Sequence, residues 1–98
     1  MGNNVSAAIQ VVPVGIVDRV AMYSYIDLAI EIIKDSKLPY LVTPFETTIE
    51  GKLEDILNLF KKINIELHKK GVKTLCMNIK IWSGDIGSTE EKLKKYQI

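Results

Sequence analysis

The residues whose types could do chemistry concentrate in one short stretch, Phe45-Glu46-Thr47-Thr48-Ile49-Glu50. Glu46 and Glu50 flank Thr48 at a spacing of two, which on a strand sets both acids and a hydroxyl on one face along an edge. Such a row could offset a cation or, with a carboxylate of raised pKa in a dry pocket, supply a general base. Charged groups of this kind also commonly do no more than protect a sheet edge. Phe45 follows Pro44 in a turn, where an apolar ring gains little unless it covers a neighbour, a ligand or another subunit. Trp82, at the end of an alternating run, is equally open to an interface or a ligand role. The single histidine, His68, reads as a solvated charge at a helix end, and Cys76 as a small packed hydrophobe within a strand. No histidine neighbours Cys76 in sequence and no Cys/His grouping exists, so neither a nucleophilic triad nor a zinc site can be assembled. Gly84 and Gly87 lack the Lys and Ser/Thr spacing of a phosphate-binding loop, which removes nucleotide hydrolysis.

The elements that must hold these residues follow from periodicity. Val5 to Val14 is β-branched and shows no helical period, so it reads as a strand. Ala7, Ile9 and Val11 then share one face, and Ser6, Ala8, Gln10 and Val12 the other. After a connector from Gly15 to about Met22, Ser24 and Asp27 suggest a capping box. Ile26, Ala29, Ile30 and Ile33 fall at helical spacing behind it, predicting an amphipathic helix to about Ser36. Tyr40–Thr43 and Thr47–Glu50 predict a hairpin closed by Pro44 and its neighbours, with Gly51 releasing the chain. Leu53, Ile56, Leu57, Phe60, Ile63 and Leu67 form a helical stripe that ends at Gly71, a residue suited to a left-handed cap. Lys73 to Trp82 alternates, with Leu75, Met77, Ile79 and Ile81 opposite Thr74, Cys76, Asn78, Lys80 and Trp82. Ser88 and Glu91 suggest a second capping box and a short C-terminal helix to about Tyr96.

The order β-α-β-β-α-β is the split β-α-β arrangement, so an α+β, ferredoxin-like sandwich is expected: an antiparallel sheet with both helices on one face, and residues 1–98 as a single domain. The first and last strands are expected near or at the sheet centre, where Ile9, Val11, Met77, Ile79 and Ile81 meet the helix stripes. The opposite face, with Gln10, Val12, Asn78, Lys80 and Trp82, lacks enough helix to cover it. In a chain of 98 residues and 11.0 kDa, a half-apolar open face predicts self-association as a dimer or tetramer.

Composition narrows the function classes. Hydrophobic residues make up 47% and charged residues 26%, which places the chain among globular rather than disordered sequences. The net charge is +1 and Arg19 is the only arginine, a poor match for nucleic-acid binding, which uses clustered cations and the guanidinium fork. One cysteine suggests a reducing, cytoplasmic setting, and no run reaches the ~20 apolar residues that span a bilayer.

Tyr40-Leu41-Val42-Thr43-Pro44-Phe45-Glu46-Thr47-Thr48-Ile49-Glu50-Gly51 resembles the hairpin of the small thiamine-binding protein family, single-domain relatives of the YkoF-type thiamine and hydroxymethylpyrimidine binders. Ile9-Gln10-Val11-Val12-Pro13, Leu38-Pro39-Tyr40, Asn78-Ile79-Lys80-Ile81 and Ser88-Thr89-Glu90-Glu91-Lys92-Leu93 extend the resemblance, in order, over nearly the full length. One departure is a connector from Gly15 to Tyr23 that looks longer than the family's. The resemblance implies a ferredoxin-like fold, assembly through the sheets, and binding of thiamine or its pyrimidine moiety without catalysis and without a further cofactor. Thiamine presents an aminopyrimidine edge and a permanently cationic thiazolium, so a site needs hydrogen-bonding groups, a carboxylate and an aromatic face. On that basis Thr47 and Thr48 are expected to bond the pyrimidine edge, Glu46 or Glu50 to offset the cation, and Phe45 or Trp82 to pack on a ring. The alternatives are a small-effector-sensing module acting on a partner protein, and an enzyme using Glu46 or Glu50 as general base.

Overall fold

A computed structural model describes residues 4–84. The elements run β1 (Asn4–Val14), α1 (Arg19–Asp35), β2 (Tyr40–Val42), β3 (Thr47–Lys52), α2 (Leu53–Lys69) and β4 (Thr74–Trp82). The four strands form one antiparallel sheet in the order β2-β3-β1-β4. This is the ferredoxin-like α+β arrangement, with both helices on one side and the other face of the sheet open. The shortest dimension, 20 Å, equals one sheet plus one layer of helix. The expected C-terminal helix from Ser88 lies outside the described residues.

The alternation of β1 and β3 decides what faces the helices. Val5, Ala7 and Ile9 of β1 join Ile49 of β3 in the core, against Ala29, Ile32 and Ile33 of α1 and Ile56, Leu59, Phe60, Ile63 and Leu67 of α2. β1 is central, but β4 is not: the second central strand is β3, and β4 forms an edge beside β1. That corrects the expectation for Ile79 and Ile81. Both are on the face of β4 turned toward the helices, yet they remain 40% and 41% exposed because the helix layer does not extend over this edge. Leu53 and Leu57 of the α2 stripe are likewise exposed, while Leu59 is buried. Cys76, expected to be packed, is exposed because it lies on the opposite, open face of β4.

Local capping sets the helix boundaries. α1 begins five residues before the Ser24 box, because Asp18 is extended and its carboxylate accepts from the Ala21 N–H at 3.1 Å. Ser24 instead donates to the Ala21 carbonyl within the helix. The connector after β1 is therefore only Gly15–Asp18, shorter than the sequence suggested. At the other end of α1, Ser36 closes the last turn and Lys37 adopts a left-handed φ of 66°. Gly51 lies inside β3 and does not release the chain; a Cβ there would stand 3.1 Å from Leu38 Cδ2. α2 carries Glu54 and Asp55 in its first turn and His68 and Lys69 in its last, both matching the helix dipole. Gly71, at φ 115°, allows the Val72 N–H to bond the Leu67 carbonyl at 3.2 Å, a Schellman closure. His68, exposed in this last turn as expected, also takes part there, with Nδ1 2.7 Å from the Val72 carbonyl oxygen.

Candidate functional site

The β2–β3 connection is a tight four-residue turn. The Thr43 N–H and hydroxyl both donate to the Glu46 carbonyl, at 3.0 and 2.5 Å, and the Glu46 N–H donates to Thr43 Oγ1 at 3.2 Å. Pro44 and Phe45 occupy its two corners, where proline's fixed φ suits the first. With its backbone held this way, the turn leaves the Phe45 ring 78% exposed.

Beneath this turn lies a cavity of about 140 Å³. Ile9 and Val11 of β1 and Ile26, Ala29, Ile30 and Ile33 of α1 form its apolar wall. Gln10 and the turn residues from Val42 through Thr47 complete it. A volume of this size exceeds the ~30 Å³ share of one water several-fold and falls below the ~300–1,000 Å³ of pockets for drug-sized ligands. It suits a single small ring. Its polar lining residues are Gln10, Thr43, Glu46 and Thr47; the Thr47 side chain turns to the helix side, while the Gln10 and Glu46 side chains reach partners on the open face. Two other cavities, of about 390 and 490 Å³, contain none of the residues expected to bind a ligand.

The six expected residues separate into two groups. Phe45, Glu46 and Thr47 line the cavity together. Thr48, Glu50 and Trp82 do not. Thr47 faces the helices and is 6% exposed, so alternation turns Thr48 to the open face, where its hydroxyl reaches the Leu41 carbonyl at 3.5 Å. The two threonine side chains therefore cannot hydrogen-bond one ligand from the same side. Glu50 and Trp82 both pair with Ser6 of β1, four residues along the strand from Gln10. The nearest lining residue of β1, Ile9, is three residues from Ser6, so at ~3.3 Å per residue Glu50 and Trp82 stand roughly 10 Å from the cavity.

Two polar links tie the cavity to the open face. Glu46 Oε1 stands 3.4 Å from Nζ of Lys80 on β4. Asn78, two residues earlier, donates to Gln10 Oε1 at 3.1 Å. Gln10 and Thr43 were not singled out from the sequence; the signal available for Thr43 was its place three residues before Glu46, an ST-type turn spacing. The α1 wall was foreshadowed by Ile26 and Ile30 flanking the more deeply buried Ala29 and Ile33. Among the described residues, no group of three or more His, Cys, Asp or Glu side chains could hold a metal ion. No helix among them is long and apolar enough to cross a membrane.

A ferredoxin-like sandwich with a one-ring cavity under its β2–β3 turn defines a small α+β class of single-sheet proteins. Within that class the chain belongs to the thiamine-binding protein family, whose model matches residues 7–97. It is 31% identical over 93 residues to the UPF0045 protein CPE1503 of Clostridium perfringens, covering 94% of this chain and 96% of that protein. Among solved structures it is similar to TM0486 of Thermotoga maritima, a protein provisionally assigned to thiamine biosynthesis or salvage. That match has a TM-score of 0.85 and 32% identity over 96% of this chain and 99% of the other. A domain of unknown function, DUF77, from Bacillus cereus matches with a TM-score of 0.85 and 31% identity, covering 99% and 93% of the two chains.

Proposed function

We propose that this protein binds thiamine, or the hydroxymethylpyrimidine moiety of thiamine, in the cavity beneath the β2–β3 turn, without catalysing a reaction on it. The single observation that carries the reading is the lining of that cavity, an apolar wall from β1 and α1 closed by the polar residues Gln10, Thr43, Glu46 and Thr47. An aminopyrimidine has an apolar face for Ile26 and Ile30 and a donor–acceptor edge for Thr47 and Gln10. The cavity, of about 140 Å³ and open on one side, takes the pyrimidine ring first. The cationic thiazolium then stays at the mouth, beside the exposed Phe45 ring, which offers a cation–π surface, and within reach of the Glu46 charge.

The open sheet face supports a second part of the reading, assembly of copies into a dimer or tetramer in the cytoplasm. Trp82 is 61% exposed there and is accompanied by Leu41, Val12 and Cys76. Aromatic residues of this kind anchor interfaces, and one sheet with two helices buries a modest core on its own. In this division of labour Phe45, Glu46 and Thr47 serve the ligand, while Thr48, Glu50 and Trp82 serve the contact between copies.

Isothermal titration with thiamine, hydroxymethylpyrimidine and thiamine diphosphate at one salt concentration tests the binding. Saturable heat with thiamine or the pyrimidine, at a fixed ratio per chain and weakened in Phe45→Ala, is the expected result. Absence of heat and of any melting shift with all three compounds overturns the reading.

A further inference from the structure

Glu46 is the one carboxylate among the described residues that line the cavity, and it is not left to the ligand alone. Its backbone is pinned on both sides by Thr43, with three hydrogen bonds fixing the turn, so its side chain is the part that can move. That side chain is 31% exposed and points its Oε1 at the Lys80 ammonium, 3.4 Å away on the open face and 77% exposed. Lys80 belongs to β4, a different strand from the turn, and Asn78 on the same face of β4 fixes the neighbouring Gln10 amide. Among the described residues, the one acidic residue of the cavity lining thus turns its charge across to a cation on the open face.

We propose that Lys80 is a positioning residue for charge selectivity: by drawing the Glu46 carboxylate toward the open face, it limits how strongly the cavity prefers a cationic ligand over a neutral one. The inference rests on the ligand reading above and deepens it. An exposed ion pair is weak, so a bound cation can compete with Lys80 for the carboxylate, and neither wins outright. Removing the ammonium leaves Glu46 unneutralised at the mouth, which raises the attraction for a thiazolium and does nothing for an uncharged aminopyrimidine. The effect is bounded by the worth of the pair, up to ~1 kcal/mol, which converts to an affinity gain of about two- to five-fold.

The test is calorimetric titration at low salt and mildly alkaline pH, where the free aminopyrimidine is uncharged. Thiamine and hydroxymethylpyrimidine are each titrated into the wild type, Lys80→Met, Lys80→Arg, Glu46→Gln and the double variant Glu46→Gln/Lys80→Met. Lys80→Met is expected to tighten thiamine about two- to five-fold while leaving hydroxymethylpyrimidine unchanged, and Lys80→Arg to restore the wild-type ratio. In the Glu46→Gln background Lys80→Met should change neither ligand. An equal shift for both ligands, an undiminished thiamine effect without Glu46, or no shift at all in Lys80→Met overturns the inference while the binding reading stands. A wild type that binds neither compound removes the binding reading and this inference together.

Discussion

The two faces of the sheet are built from the same strands and end in opposite states. In β3, Thr47, Ile49 and Gly51 turn toward the helices and are buried, whereas Thr48 and Glu50 between them turn away and are half-exposed. In β1, Val5, Ala7 and Ile9 are core, while Ser6 and Gln10 face outward. Chemistry alone does not explain the split, because β4 breaks the rule: Ile79 and Ile81 occupy the helix side and are exposed nonetheless. What buries a residue here is the reach of the helix layer, and that layer covers β3 and β1 better than the edge at β4. The closed face thus supplies stability and the cavity wall, while the open face supplies surface that no helix among the described residues covers.

The sharpest way to break this comparison is to truncate one isoleucine on each side of the helix layer's limit. Ile63 is fully buried between the layers. Ile63→Ala should lower unfolding stability by ~2–5 kcal/mol, through lost transfer energy and a residual cavity. Ile81→Ala, at the uncovered edge, should cost less, about 1–2 kcal/mol, because 41% of its surface stays in water and truncation there leaves no closed cavity. Urea denaturation of the two variants checks this. Equal losses would mean that β4 is covered in the functional state by something the isolated fold does not provide.

Next in size is the open face. If copies meet through it, a large half-exposed aromatic such as Trp82 is the kind of residue that anchors the contact. Trp82→Ala is expected to weaken self-association by ~2 kcal/mol or more, about thirty-fold in the dissociation constant. Size-exclusion chromatography with light scattering across a dilution series reads it. The same variant should bind ligand as the wild type does, since Trp82 lies roughly 10 Å from the cavity along the strand. A Trp82→Ala protein with unchanged assembly would remove the residue from the contact.

How much of this was legible in the sequence follows from the range of each signal. Alternation in Val5–Val14 and Thr47–Glu50 assigned faces correctly, because side-chain direction on a strand is a local property. The β-α-β-β-α-β order identified the fold, because handedness rules leave few ways to arrange it. Strand position in the sheet is a non-local property, and β4 was misplaced at the centre for that reason; the burial expected of Ile79 and Ile81 failed with it, whereas Cys76 is exposed because its face of the sheet is open. The start of α1 was missed because Ser24 and Asp18 both offer cap chemistry in sequence, and only the backbone at Asp18 is extended as a cap requires. For the site, the sequence located the right hairpin and could not divide it. Phe45, Glu46 and Thr47 reach the cavity through the turn that Thr43 closes, and Gln10 joins the lining beside Ile9 and Val11, a placement that depends on how β1 packs against α1 and that no local pattern encodes.

The finest cut through the comparison uses the two adjacent threonines. They share residue type, strand and neighbourhood, and they differ only in the face they occupy. Thr47 is buried against the cavity and Thr48 stands on the open face with its hydroxyl near Leu41. Replacing either hydroxyl by a methyl keeps shape and β-propensity, so stability should change little beyond the loss of any single hydrogen bond. If Thr47 bonds the pyrimidine edge, Thr47→Val should lower affinity by ~0.5–1.5 kcal/mol, about two- to twelve-fold, for both thiamine and hydroxymethylpyrimidine. Thr48→Val should leave both affinities at the wild-type value. The reverse ranking in a calorimetric titration would move the ligand to the open face and would join the binding site to the surface assigned here to assembly. Equal and small effects would assign the pyrimidine edge to Gln10 and the backbone of the turn instead, and would leave the closed face contributing apolar wall alone.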